Sequence, residues 1–165
     1  MTDKIDTQLT GAAGEHLVLS RLLSRGVLAA QAPRGARKAD ILVNFLDGRL
    51  PCLVQVKSRQ AGGALGWHMQ EKHESQTESD LFFCFVDFEP DQPRVFVMPA
   101  AVAAEAIRLD HSIWLATPGK NGQAHNETKF RRLRDSSLGE KVGWLDEYLE
   151  KWGLIDSPRK DEIRS

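Results

Sequence analysis

The chain has 165 residues, of which 41% are hydrophobic and 27% are charged, and its formal net charge is −1. This length and composition are typical of a soluble globular protein, so we expect one domain over residues 1–156 and a disordered tail over 157–165. No apolar run approaches the roughly 20 residues of a membrane span, and the polar start is unlike a signal peptide. These features predict a cytoplasmic protein with no membrane partner.

Charge is distributed unevenly along the chain. Residues 1–60 carry nine Lys and Arg against five Asp and Glu, a net charge of +4, whereas residues 61–165 carry 13 against 18, a net charge of −5. The overall charge argues against a uniformly basic nucleic-acid binder, although positive charge in the first segment could meet phosphates. Cys52 and Cys84 lie in apolar runs, where small buried thiols are common, and do not indicate a disulfide framework or a metal knuckle.

The first predicted element is a helix over residues 8–25, which Gly26 would end. Its predicted core-facing side chains recur at spacings of three and four: Ala12, Glu15, Val18, Leu19 and Leu22. Glu15 is the exception on this face, and it could lie at the edge of the stripe or pair with an arginine. Gly11 and Gly14 would allow another backbone to approach closely, which would bring Glu15 near a sheet.

A β-hairpin is predicted over residues 39–57, where an Asp-Gly turn signal separates two apolar, β-branched runs. Because side chains alternate across a strand, Gln55 and Lys57 would point to one face, with Asp40 opposite them on the neighbouring strand. Polar groups among apolar residues are costly to bury without partners. A divalent metal held by oxygen atoms, with a lysine beside it, would account for the cluster.

The remaining segments complete a chain of alternating helices and strands. They are assigned to a strand at 27–30, a basic loop at 33–38, a glycine-rich loop at 60–66, a helix at 68–79, a strand at 81–87, a strand at 94–98, a helix at 100–109, an edge strand at 113–115, a flexible loop at 116–128 and a helix at 145–152. The near-continuous apolar run at 81–87 predicts a central strand covered on both faces. The order of elements predicts an α/β fold with a mixed sheet.

The order of the polar residues closely resembles the PD-(D/E)xK nuclease superfamily, and most of all the branch with archaeal Holliday-junction resolvases and Mrr-type restriction enzymes. The resemblance covers roughly residues 8–100 and rests on Gly-x-x-Gly-Glu15, then Asp40, then Gln55-x-Lys57. It implies a restriction-endonuclease-like αβββαβ core, with a mixed central sheet flanked by helices. It also implies Mg²⁺-dependent or Mn²⁺-dependent cleavage of phosphodiester bonds in DNA, in repair, recombination or defence.

The resemblance also implies a role for each matching residue. Asp40 would be the principal metal ligand, Gln55 and the Val56 carbonyl would add oxygens, Glu15 would add a carboxylate, and Lys57 would orient the attacking water. Gln55 stands where the motif has Asp or Glu. Its carbonyl can bind a hard cation but brings no charge, and Mrr-like members share this glutamine. The alternative is a simple salt bridge between Lys57 and Asp40, with no metal present.

Candidate DNA contacts lie on both sides of these residues in the chain. They are Arg34, Arg37, Lys38, Ser58, Arg59 and Trp67. The three before Asp40 are preferred as phosphate contacts. Trp67 could stack on a base or wedge a junction, although a tryptophan that anchors the glycine-rich loop to the core is the preferred interpretation. The basic run over 129–134 could contact a DNA backbone, although a solvated charged face is the more frequent explanation for such a run.

Two classes of function are therefore predicted. The first is a metal-dependent endonuclease acting on branched or double-stranded DNA, which the presence of Glu15 and Lys57 favours. The second is a catalytically inactive module that keeps the nuclease fold and binds DNA or a protein partner, which Gln55 favours. A homodimer would suit an enzyme that cuts both strands, although no residue specifies an interface.

Overall fold

The computed structural model describes residues 6–62, 65–137 and 143–157. The α-helices are Thr7–Ser24 (α1), Ala100–Ala116 (α2) and Gly153–Asp156 (α3), and 3₁₀ helices lie at Glu71–Ser75 and Trp144–Tyr148. The strands are Leu28–Gln31 (β1), Ile41–Asn44 (β2), Cys52–Arg59 (β3), Trp67–Gln70 (β4), Leu81–Asp87 (β5), Arg94–Pro99 (β6) and Phe130–Leu133 (β7).

Five strands form the main sheet in the order β1-β2-β3-β5-β6. The pair β3–β5 is parallel and the other neighbouring pairs are antiparallel, so the sheet is mixed. The predicted hairpin over residues 39–57 is confirmed by the pairing of β2 with β3. Every residue of β5 is buried, which confirms a central strand covered on both faces.

Helices cover the two faces of this sheet. On one face, Val18 of α1 packs in a core with Val54 of β3 and Cys84 of β5. On the other face, Ile107 of α2 packs in a second core with Phe83 of β5. The predicted fold class, a mixed central sheet flanked by helices, is confirmed.

The helix predicted over residues 68–79 is wrong. The chain there forms β4 and a 3₁₀ helix, and β4 pairs with β7 in a separate two-stranded sheet, here called the β4–β7 ribbon. Along β4, buried Trp67 and Met69 alternate with exposed His68 and Gln70, which is the period of a strand. β4 and the 3₁₀ helix therefore lie in the connection from β3 to its parallel neighbour β5.

Two predictions near the C-terminus also differ from the structure. The edge strand predicted at 113–115 is wrong, because α2 continues to Ala116 through a segment that contains no glycine or proline. The helix predicted at 145–152 is replaced by a 3₁₀ helix and the short α3. The predicted tail lies, apart from Ser157, outside the described residues. Within the described part of the chain, no helix is both long enough and apolar enough to cross a membrane.

Candidate active site

The candidate site lies where β2 ends and β3 continues. Ile41, the first residue of β2, pairs with Val54, and beyond this pair β3 is joined to β5 alone. The Asp40 backbone N–H donates to the Val54 carbonyl (2.9 Å), and Asp40 Oδ2 accepts a hydrogen bond from the Val56 N–H (2.7 Å). The Asp40 carboxylate therefore takes the place that a longer β2 would have filled, and it is fixed at the free edge of β3.

Gln55 carries a buried oxygen atom that has no hydrogen-bond partner in the described structure. Continuing the β2–β3 register places Gln55 opposite Asp40, so both side chains leave the same face of the sheet. Gln55 Oε1 is buried and accepts no hydrogen bond from any described residue. An unpaired buried acceptor costs about 1–3 kcal/mol, so a cation or a hydrogen-bond donor placed at this atom would be favourable. Lys57 projects from the same face two residues later.

The electrostatic shifts show that three ionisable groups share this region. Burial lowers the pKa of Lys57 below its ordinary value, Asp40 partly offsets this shift, and Lys72 adds to it. Burial and then the charge of Asp40 raise the pKa of Glu15. Within the described part of the chain, Asp40 acts on Lys57 through its charge without forming a direct ion pair with it. Asp40 therefore interacts electrostatically with both Glu15 and Lys57.

A glycine of α1 brings Glu15 to the sheet. A Cβ atom at Gly14 would lie 1.9 Å from Ser58 Oγ and 3.1 Å from Ser58 Cβ. Only glycine lets α1 approach β3 this closely, and Glu15 follows directly in the chain. The predicted role of Gly14 is confirmed. The same prediction for Gly11 is wrong, because nothing lies within 4 Å of a Cβ built there.

These oxygen atoms fit a hard divalent cation. The described residues contain no group of three or more His, Cys, Asp and Glu side chains that could hold a metal ion, so Gln55 would have to complete the set with Glu15 and Asp40. Carboxylate and amide oxygens suit Mg²⁺ and Mn²⁺. A cation would supply the partner that Gln55 Oε1 lacks and would relieve the repulsion between Glu15 and Asp40. Their role as metal ligands stays a prediction.

Comparisons with known proteins show the fold. No protein-family model matches the sequence, and no curated protein matches it. The chain is similar to the solved structure of a bacterial homing endonuclease, I-Ssp6803I, with 17% identity over 91% of this chain and 93% of that chain and a TM-score of 0.52. The fold is restriction-endonuclease-like.

Two further solved structures are similar over much of their length. One is the Holliday junction resolvase Hjc of the archaeal hyperthermophile Archaeoglobus fulgidus, with 13% identity over 74% of this chain and 88% of that chain and a TM-score of 0.43. The other is a restriction endonuclease in complex with substrate DNA, with 14% identity over 90% of this chain and 72% of that chain and a TM-score of 0.48. The restriction-endonuclease-like fold is assigned from the similarity to the homing endonuclease, and at 17% identity that similarity concerns the fold alone.

His73 is a neighbour of the site that the sequence interpretation missed. Its ring meets the ring of Phe83 edge-on at 5.9 Å, and Phe83 pairs with Gln55 in the restriction-endonuclease-like sheet. Nδ1 accepts a hydrogen bond from the Gln70 N–H (2.9 Å), whereas Nε2 is buried without a partner among the described residues. Burial and then the charge of Lys57 lower the pKa of His73 to about 4. The incorrect helix over 68–79 hid this position.

The predicted DNA contacts divide into exposed and buried groups. Arg34, Arg37 and Lys38 are exposed in the loop before Asp40, and Lys38 forms an ion pair with Glu78. These three side chains can reach a phosphate backbone from the surface, so their role as DNA contacts stays a prediction.

The other three predicted DNA contacts have structural partners within the fold, and their role as DNA contacts stays a prediction. The hydroxyl of Ser58 is buried beneath α1, and Arg59 pairs with Asp87 (2.9 Å). Trp67 is 3% exposed and donates to the Val86 carbonyl (2.8 Å). The structure therefore shows the preferred interpretation of Trp67, an anchor in the core.

The interpretation of residues 129–134 as a solvated face is also incorrect in part. Arg131 is 5% exposed and pairs with Glu74, and Arg134 pairs with Asp110 (2.8 Å). These arginines hold β7 against its neighbours, since each charge is matched by a carboxylate.

Proposed function

We propose that this protein is a divalent-metal-dependent endonuclease that hydrolyses phosphodiester bonds in DNA, in repair, recombination or defence. The observation that carries the proposal is the buried Gln55 Oε1, which lies opposite Asp40 and accepts no hydrogen bond from any described residue. Asp40 is held in place by the Val56 N–H, whereas nothing in the described part of the chain pairs with the Gln55 oxygen. The restriction-endonuclease-like fold supports the proposal, because the similar solved structures are described as nucleases.

Each residue has a distinct part in this proposal. Asp40, Gln55 and Glu15 would hold Mg²⁺ or Mn²⁺, together with the Val56 carbonyl. A bound ion of this kind neutralises phosphate oxygens and lowers the pKa of a bound water. The hydrogen bond from the Val56 N–H to Oδ2 orients Asp40 and leaves Oδ1 available for coordination. Lys57 would hold the attacking water at Nζ, where its lowered pKa eases proton exchange.

The substrate would approach over the exposed basic loop. Arg34, Arg37 and Lys38 would contact phosphates and position the scissile bond near Asp40. Such contacts release counterions, so DNA affinity would fall as salt concentration rises. A homodimer, if it forms, would present two such sites for cutting both strands, and the proposed enzyme would act in the cytoplasm.

The proposal is tested by assaying nicking of branched and linear DNA while Mg²⁺ or Mn²⁺ is titrated. Lys57→Ala should lower the cleavage rate by at least about 100-fold, while DNA affinity and thermal stability stay near those of the wild type. Asp40→Asn should weaken metal binding as well as rate, since it removes a formal charge. Lys151→Ala is the matched control, because it removes an exposed lysine from the C-terminal segment.

Two results would contradict the proposal. One is a wild-type protein that cuts none of these DNA substrates in either metal. The other is a Lys57→Ala variant that cuts as fast as Lys151→Ala. A protein that binds DNA equally well with and without divalent metal, but never cuts it, would match the second candidate, an inactive nuclease-fold module. The absence of charge on Gln55 is the observation that favours that candidate.

A further inference from the structure

The β4–β7 ribbon exposes an aromatic and basic face. His68 lies opposite Arg132 and Gln70 lies opposite Phe130 in the ribbon register. These four side chains, called here the ribbon face, point away from the core, and Phe130 is 41% exposed.

The ribbon face combines a ring with cationic neighbours. The His68 and Phe130 ring centroids lie 4.1 Å apart at 81°, and the Arg132 guanidinium lies 5.4 Å from the Phe130 centroid. An apolar protein partner would be matched by further apolar side chains around Phe130. An exposed ring with an arginine beside it suits a base that stacks on the ring and a phosphate that pairs with the guanidinium. Charge complementarity therefore favours a nucleic acid over a protein.

The ribbon face is fixed beside the candidate active site. Trp67, which precedes His68, packs on Phe85 with ring centroids 5.4 Å apart, and Phe85 is the residue of β5 that pairs with Lys57. Partial burial, and then the charges of Arg132 and Lys57, lower the pKa of His68. The ribbon is therefore anchored on the strand that pairs with Lys57, and the charge of Lys57 reaches His68 of the ribbon face.

A recess adjoins the exposed ring. Phe130 and Arg132 border a cavity of about 280 Å³ between α2 and β7, which Trp114 also lines. A base lying on Phe130 would enter this recess instead of resting on a flat surface. In an intact duplex both faces of a base are covered by its neighbours, so only an unpaired base can stack on a protein ring.

We infer that the ribbon face binds an unpaired base of the nucleic-acid substrate, with Phe130 stacking on the base and Arg132 pairing with a neighbouring phosphate. This inference rests on the proposed nuclease function, because it makes single-stranded or branched DNA the preferred substrate of the same site. The strand would run from Phe130 towards Lys57.

The test measures binding to fluorescent oligonucleotides by anisotropy in EDTA, so that cleavage does not interfere. A single strand and a blunt duplex of the same sequence are compared. Phe130→Ala should weaken binding of the single strand by about 5- to 150-fold, the range found for base–aromatic stacking, with little change for the duplex. Phe130→Trp should keep the affinity. Ile113→Ala is the matched control, because Ile113 is also 41% exposed but lies on α2.

A second measurement follows stacking directly. Single strands with 2-aminopurine at successive positions should lose fluorescence at one position when the wild type binds, because stacking quenches this base. Phe130→Leu keeps an apolar side chain but has no ring, so it should leave the fluorescence unquenched. Arg132→Ala should weaken binding and lower the salt dependence of affinity by about one phosphate contact.

The outcomes separate this inference from the proposed function. If the wild type cuts DNA in Mg²⁺ while Phe130→Ala and Phe130→Leu bind and quench as the wild type does, the ribbon face is not the base site and the nuclease proposal stands. If the wild type binds neither oligonucleotide and cuts no DNA, both are overturned.

Discussion

The contact between Gly14 and Ser58 gives a quantitative test of how α1 is held on the sheet. In Gly14→Ala, the new Cβ would lie 1.9 Å from Ser58 Oγ and 3.1 Å from Ser58 Cβ. The hydroxyl can rotate away, but the Cβ atom moves only with the backbone. The variant must therefore push α1 away from β3, and Glu15 would move with it.

The magnitude follows from two opposing terms. Alanine is favoured over glycine inside a helix by about 1 kcal/mol, and overpacking a well-packed contact costs about 1–3 kcal/mol. Gly11→Ala is the control, since it gains the same helix propensity and meets nothing within 4 Å. The free energy of unfolding should thus be lower in Gly14→Ala than in Gly11→Ala by about 1–3 kcal/mol, a difference in melting temperature of roughly 2–12 °C.

The assay is urea and thermal unfolding of the wild type, both alanine variants, and Gly14→Ala combined with Ser58→Ala. Removing the hydroxyl leaves the 3.1 Å contact with the Cβ of residue 58 as the tightest one, so the double variant should recover part of the lost stability. Equal free energies of unfolding for Gly11→Ala and Gly14→Ala would refute the close packing of α1 on β3.

Two further predictions concern buried polar residues. Asp87 is fully buried and accepts hydrogen bonds from Arg59 (2.9 Å) and Arg94 (2.7 Å). In urea unfolding, Asp87→Asn should therefore lower the free energy of unfolding by about 3 kcal/mol. This is the lower end of the range for a broken buried ion pair, because Arg94 is partly exposed. His73 has a pKa of about 4 in the folded state and 6.5 in the unfolded state, so the unfolded state binds more protons between these pH values. The free energy of unfolding should therefore fall by up to about 3 kcal/mol as the pH drops from 6.5 to 4. His73→Asn does not titrate and should flatten this part of the stability profile, whereas an unchanged profile would contradict the assignment.

The elements that local pattern could predict are those whose partners are near in sequence. The hairpin of β2 and β3 has its own turn signal, and β5 is apolar along its whole length. The spacing of Asp40, Gln55 and Lys57 was visible because strand alternation alone places Gln55 and Lys57 on one face. The cost of a glycine inside a helix, about 1 kcal/mol relative to alanine, pointed correctly to the packing of Gly14 and wrongly to a packing role for Gly11.

The elements that could not be predicted depend on distant partners. β4 is stable only because β7 pairs with it, and the two strands are far apart in the chain. A pattern search over neighbouring residues does not include β7, so it assigns His68 to Gln70 to the polar helix predicted over 68–79. The burial of Arg131 likewise depends on Glu74, which arrives from the 3₁₀ helix between β4 and β5. The ion pair of Arg59 with Asp87 and the hydrogen bond of Trp67 to Val86 likewise depend on β5, which comes later in the chain.

The central claim is that a divalent cation binds beside Gln55, and Gln55→Glu tests it most directly. Without metal, the added carboxylate repels Asp40 and Glu15 and should lower the melting temperature below that of the wild type. Mg²⁺ should then raise the melting temperature of Gln55→Glu more than that of the wild type, because ligand binding to the folded state stabilises it. Gln123→Glu, on an exposed loop, controls for the added charge. Equal destabilisation of Gln55→Glu with and without Mg²⁺ would contradict the metal site and the nuclease proposal with it.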